Sequence, residues 1–216
     1  MKAVLLLTLS FLFASLTNFP LAFSKDDAEP VIDTDGNPLH RGGKYYIMPS
    51  IWGPPGGGLR LGKTENLNCP VTVLQDYSEV INGLPVEFNI RGILPRTIFT
   101  DTELNIEFTE KPNCAENSRW SLFEDDKIHK AYVGIGDSED HPDQEMLSGS
   151  FYIKKHGLRN NTYKLVFCRD GSSTCSDIGR YDNNEDGRRL ILTQDLPYEV
   201  VFVNASNRDA TIKSVV

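Results

Sequence analysis

The sequence predicts a single all-β domain behind a short N-terminal leader. Three observations lead there. Short β-rich runs recur between turn signals throughout the chain after residue 24, two of them alternate cleanly between apolar and polar side chains, and no convincing long helix is present.

Twelve runs read as strands. In order they are Tyr45–Ile47, Leu59–Leu61, Val71–Leu74, Val86–Ile90, Leu104–Phe108, Trp120–Phe123, Ala131–Ile135, Phe151–Lys154, Tyr163–Phe167, Asp177–Tyr181, Arg189–Leu192 and Glu199–Val203. Val86-Glu87-Phe88-Asn89-Ile90 and Leu104-Asn105-Ile106-Glu107-Phe108 carry the alternation, each placing three apolar side chains on one face of a strand, where a helix would scatter them. The separators are turn-forming: Gly36-Asn37-Pro38, the pair Gly42-Gly43 ahead of Tyr45-Tyr46, and the run from Trp52 to Gly58. Glu124–Lys130 and Gly136–Ser148 read as polar loops. Gly56-Gly57-Gly58-Leu59 lacks the lysine of a phosphate-binding loop and the strand-to-helix context, so it reads as a bend or close backbone approach. Spacing fits a sandwich or a barrel, and a grouping into three sets of four is compatible with a β-trefoil. No linker divides the chain.

The first 24 residues read as a secretory signal peptide. Lys2 gives a positive start, Val4–Leu16 is almost wholly apolar, and Ala22-Phe23-Ser24 offers small residues for cleavage after Ser24. The apolar run is too short to cross a bilayer and no second candidate follows, so no membrane association is expected once it is removed. Residues 25–216 then form the domain. The expected destination is outside the cell or a vacuole. The net charge of −8 disfavours nonspecific binding to nucleic acid or an anionic membrane, and no basic stripe or zinc-finger spacing appears.

All four cysteines, Cys69, Cys114, Cys168 and Cys175, follow the leader, and an even count there points to two disulfides rather than a metal site. Three pairings are open, with proximity favouring Cys168 with Cys175. Loop closure by the sequential pairing contributes about 4 kcal/mol for the long link and about 2.5 kcal/mol for the short one. Asn160-Asn161-Thr162 and Asn204-Ala205-Ser206 are acceptor sequences for N-glycans, at Asn160 and Asn204. The four histidines, His40, His129, His141 and His156, belong to no HExxH pattern, and no GxSxG nucleophile motif occurs. No enzyme activity, cofactor or metal is expected.

The N-terminal segment after the leader is more specific. Val31-Ile32-Asp33-Thr34-Asp35-Gly36-Asn37-Pro38-Leu39, then His40-Arg41-Gly42-Gly43-Lys44, then Tyr45-Tyr46-Ile47, resembles the signature of the plant Kunitz, or soybean-trypsin-inhibitor-like, family. Cys69-Pro70-Val71-Thr72-Val73, Tyr163–Cys168, Asp177-Ile178-Gly179 and Arg188-Arg189-Leu190 extend the resemblance over essentially the whole chain after the leader. It implies a β-trefoil of twelve strands with Cys69–Cys114 and Cys168–Cys175 linked. It also implies a monomeric protease inhibitor whose loop between the fourth and fifth strands enters a serine endopeptidase. That loop maps to residues 89–101, NIRGILPRTIFTD, with Arg91, Leu94, Pro95, Arg96 and Thr97 as the candidate contact residues. An arginine there suits an acidic specificity pocket and Leu94 an apolar one, with Arg96 slightly favoured. Disulfides and a packed barrel are expected to restrain the base of the loop, so that little ordering entropy is lost on binding.

One departure from the family pattern stands out. Trypsin-directed relatives commonly place an asparagine just before the paired glycines, where its amide braces the loop. This chain has Arg41, which donates hydrogen bonds but accepts none. The competing readings are a noninhibitory carbohydrate-binding, protein-binding or storage protein on the same scaffold and an inhibitor of cysteine or aspartic proteases; Trp52 and Trp120 would be the sugar platforms of the first, although core or loop packing is the preferred reading of each.

Overall fold

A computed structural model describes residues 28–51, 56–64, 67–90, 92 and 96–206. The leader, Trp52 and the Gly53-Pro54-Pro55 turn lie outside the described residues. Thirteen strands follow one another: β1 Lys44–Pro49, β2 Leu59–Gly62, β3 Thr72–Gln75, β4 Val86–Asn89, β5 Asn105–Phe108, β6 Trp120–Asp125, β7 Lys130–Ile135, β8 Glu145–Leu147, β9 Gly149–Lys155, β10 Tyr163–Arg169, β11 Cys175–Tyr181, β12 Arg188–Thr193 and β13 Glu199–Asn204.

Six of these strands close on themselves. β1 pairs with β4, β4 with β5, β9 with β10, β10 with β13 and β13 with β1, all antiparallel. The bridge between Leu104 and Phe151 joins the β5 side to β9 and completes the ring. The hairpins β2–β3, β6–β7 and β11–β12 pair with one another through β3–β7, β3–β12 and β7–β12, and cap one end of the barrel. Three hairpins on a closed six-stranded barrel make a β-trefoil. Closure removes the unpaired edges that an open sheet of this size would expose.

The barrel fills with the inward side chains that alternation marked. Val86, Phe88, Ile106 and Phe108 are buried, while Glu87, Asn89, Asn105 and Glu107 on the same strands are partly exposed. Phe88 meets Phe202 edge to face at 5.4 Å between ring centres. Trp120 is 3% exposed and packs between Phe108 and Phe151, at 5.5 and 6.0 Å. The indole of Trp120 thus belongs to the core, the reading preferred for it over a sugar platform.

Two further expectations change. The segment expected to be a loop between Gly136 and Ser148 contains a 3-10 turn, Ser138–Asp140, and strand β8, which pairs Leu147 with Leu122 of β6. Among the described residues the strands thus number thirteen, the expected twelve with β8 added. Glu124, Asp125 and Lys130, also assigned to a loop, extend β6 and β7.

Beside the core lies a buried polar layer. Arg189 on β12 is 1% exposed, and its guanidinium pairs with Asp125 at 2.7 Å and with Glu185. His141 is fully buried, stacks on Phe123 with ring centres 3.5 Å apart, and places Nε2 2.8 Å from the Ile135 carbonyl. That carbonyl accepts, so Nε2 carries the proton, while Nδ1 lies 2.8 Å from the Tyr132 hydroxyl, which also donates to the Gln144 side-chain oxygen. Burial lowers the pKa of His141.

Both disulfides are formed. Cys69 and Cys114 have Cα atoms 5.9 Å apart and link the approach to β3 with the β5–β6 connection; Cys168 and Cys175 are 4.2 Å apart and face each other across β10 and β11.

Candidate functional site

β4 runs antiparallel to β1, so the connection from β4 to β5 leaves the barrel beyond the N-terminal end of β1. The hairpin cap follows the other end of β1. The connection therefore projects from the barrel end opposite the cap. Two isoleucines root it: Ile90 is 9% exposed and Ile98 fully buried, and both belong to the main core cluster. Burying an isoleucine side chain contributes about 1.5–3 kcal/mol, so pulling either root outward is costly.

After the tip the chain is zipped to the segment preceding β1. The Ile98 N–H donates to the Leu39 carbonyl at 2.8 Å, the Val31 N–H to the Ile98 carbonyl at 2.9 Å, and the Thr100 N–H to the Glu29 carbonyl at 2.8 Å. Thr97 bridges His40. This ladder holds residues 96–100 extended.

The tip itself is gripped by Arg41. His40-Arg41-Gly42-Gly43 is a tight turn closed by the Gly43 N–H on the His40 carbonyl at 3.0 Å, with φ +73° at Gly42. Gly43 is required by contact: a Cβ there would lie 2.6 Å from the Tyr45 hydroxyl, which accepts the His40 N–H at 2.9 Å. The turn puts Arg41 at its corner. From there the Arg41 N–H donates to the Arg96 carbonyl at 2.8 Å, and Nη1 donates to the Gly92 carbonyl at 2.7 Å. One residue thus holds both limbs of the connection, and because the side-chain donor is charged, that bond is of the stronger kind. Gly92 has φ +104° and open space where a side chain would be, so its backbone conformation, not crowding, calls for glycine.

The sequence-predicted residues fall out as follows. Arg96 is exposed, with its carbonyl in the Arg41 grip; Thr97 is half-buried in the ladder. Arg91, Leu94 and Pro95 lie outside the described residues. Neither disulfide sits at the connection: Cys69–Cys114 lies toward the hairpin cap and Cys168–Cys175 across a different pair of strands. The expected restraint by disulfides at the loop base is corrected to restraint by Ile90, Ile98 and Arg41. Asn160 is exposed in the turn between β9 and β10, and Asn204 is half-buried at the end of β13, its Oδ1 accepting the Ser206 N–H at 3.0 Å. Among the described residues, no group of three or more His, Cys, Asp or Glu is placed to hold a metal ion.

Residues 31–204 match the family model described as Kunitz legume, trypsin and protease inhibitor. The chain belongs to the plant Kunitz family of protease inhibitors. As a Kunitz protein it is a binding protein rather than an enzyme. It is 58% identical over 189 residues, 88% of this chain and 99% of the relative, to subtilisin inhibitor CLSI-II of Canavalia lineata. The solved structure of MP-4 from Mucuna pruriens shares 99% identity with this Kunitz chain and a TM-score of 0.80, covering 82% of this chain and 99% of that one. Soybean trypsin inhibitor in its complex with porcine pancreatic trypsin is 31% identical, with a TM-score of 0.71 over 82% of this chain and 99% of that one.

Proposed function

We propose that this Kunitz protein inhibits a serine endopeptidase by lodging the β4–β5 connection in the enzyme's active-site cleft, as a monomer and without a cofactor. The observation that carries this reading is the double grip of Arg41. It joins the Gly92 and Arg96 carbonyls to one rigid turn, so the three residues between them, Ile93, Leu94 and Pro95, enter a cleft on limbs already ordered. Ordering a flexible loop on binding opposes affinity by about 0.5–1.5 kcal/mol per immobilised side chain, and this connection avoids much of that loss. The complex of soybean trypsin inhibitor with porcine pancreatic trypsin supports a serine enzyme as the partner.

The same grip favours Leu94 over Arg96 as the residue that fills the specificity pocket. A scissile carbonyl is received by the enzyme's oxyanion donors, and the Arg96 carbonyl is already engaged by Arg41. Leu94 is the middle residue of the span between the two grips, and its side chain suits an apolar pocket, as in a chymotrypsin-like enzyme. The test is a panel of trypsin-like and chymotrypsin-like enzymes against the oxidised protein, followed by mapping of any slowly cleaved bond. Saturable inhibition with the slow cut after Leu94 is expected; a cut after Arg91 or Arg96 refutes the register, and no complex with either class refutes the function.

Entry into the secretory pathway through residues 1–24 belongs to the same proposal. The two disulfides support it, since they persist in oxidising compartments. N-terminal sequencing of the mature protein should begin at Lys25.

A further inference from the structure

The charge of the chain is unevenly placed. It holds 30 acidic residues and 22 lysines and arginines, yet the stretches 36–50 and 88–100 contain no acid at all. Those two stretches include the turn at Arg41 and the connection that it grips. Among their described residues His40, Arg41, Lys44 and Arg96 are exposed.

The charges of Arg41 and Arg96 are not cancelled locally. The described partner of the Arg41 guanidinium is a neutral carbonyl, and among the described residues no carboxylate pairs with Arg41 or Arg96. Of the flanking acids, Glu29 is paired with Lys155 at 2.7 Å and Asp101 with Lys154 at 3.0 Å, Asp33 is buried, Glu87 stands opposite Lys44 across β1 and β4, and Asp35 is exposed. An acidic protein thus presents its binding loop from a basic end.

Resting on the inhibitor reading above, we infer that this basic end is a docking surface that selects serine endopeptidases whose clefts are bordered by carboxylates. Unlike charges facing across an encounter raise the association rate before any contact forms, and like charges suppress it. The remainder of the molecule, which carries all 30 acids, adds orientation: an electronegative cleft is on balance repelled by it and drawn to the end carrying the loop. Discrimination of this kind acts on the rate of arrival, while the fit of the tip residue sets the lifetime of the complex.

The test measures association and dissociation rates of the full oxidised chain with two chymotrypsin-like enzymes, one with an acidic and one with a basic cleft border. Ionic strength is varied from about 0.02 M to about 0.5 M, which takes the screening length from roughly 20 Å to roughly 4 Å. With the acidic-bordered enzyme the association rate should fall about tenfold or more over that range, and with the basic-bordered enzyme it should rise. Lys44→Glu should slow association with the acidic-bordered enzyme several-fold at low salt, leave it unchanged at high salt and leave dissociation unchanged. Association that ignores salt, or that is faster with the basic-bordered enzyme at low salt, overturns the inference while the inhibitor reading stands. Capture of a trypsin-like enzyme instead moves the same measurement to that class; failure of both classes to form any complex overturns that reading, and this inference with it.

Discussion

Replacing Arg41 with alanine removes one grip on the β4–β5 connection and leaves the other. The backbone N–H still donates to the Arg96 carbonyl, but the Gly92 carbonyl loses its 2.7 Å partner. A hydrogen bond from a charged donor contributes about 1.5–3 kcal/mol where water is excluded. Arg41 is exposed, so water replaces part of the lost bond, and about 1 kcal/mol is the reasonable expectation. That corresponds to about fivefold weaker inhibition. The measurement is the inhibition constant of Arg41→Ala against the enzyme that the wild type captures best, at about 0.5 M ionic strength, where the screening length is near 4 Å and long-range attraction plays little part. The looser tip should also be hydrolysed faster. Global stability should change by no more than about 0.5 kcal/mol, because neither root of the connection is touched. An inhibition constant within twofold of wild type, with an unchanged hydrolysis rate, would show that Ile90 and Ile98 fix the tip unaided and would refute the bracing role of Arg41.

Three further outcomes follow from the buried layer and the disulfides. His141 is held neutral by burial, its pKa lowered from the ordinary value, so the unfolded chain binds its proton first as the medium is acidified. Its contribution to stability is complete above about pH 6.5 and declines toward the lowered folded pKa; urea unfolding between pH 8 and pH 5 should show this, with a smaller decline in His141→Gln. Asp125→Ala leaves the 1%-exposed Arg189 with Glu185 alone and should cost about 3–5 kcal/mol, read as a lower denaturant midpoint with an unchanged slope. Replacing Cys69 and Cys114 together by serine opens a link of 45-residue separation and should cost about 4 kcal/mol in the same assay. Inhibition by whatever remains folded should be nearly unchanged, because that link stands away from the gripped connection.

How far the sequence could be read depended on how local each signal was. β4 and β5 were visible because their apolar side chains alternate in a closed barrel that buries one face of each strand. β8 was not: Glu145 and Met146 are exposed and only Leu147 is buried, so no pattern marks it, and its reason for existing is the pairing with β6. Trp120 announced an aromatic surface but not its direction, which the neighbouring Phe108 and Phe151 decide. Arg188-Arg189-Leu190 could be quoted as a motif, yet nothing in it says that the second arginine is buried against an aspartate 64 positions away. The binding connection lies where the strand order put it. Arg41 drew notice as a departure, and what it does instead depends on a contact across 51 positions, beyond the reach of any local pattern. Carboxylate-free stretches were equally open to inspection, but they acquire meaning only when the fold lays 36–50 beside 88–100.

The connection from Ile90 to Ile98 is fastened by core side chains at its ends and by an arginine that belongs to a different stretch of chain. Each of those fastenings is made by residues outside the stretch Ile93-Leu94-Pro95. The scaffold therefore works as a handle with an interchangeable bit. A library randomised at those three positions should leave melting behaviour nearly constant while target preference varies widely, and descendants of one ancestral gene would be free to pursue new enzymes without first relearning how to fold.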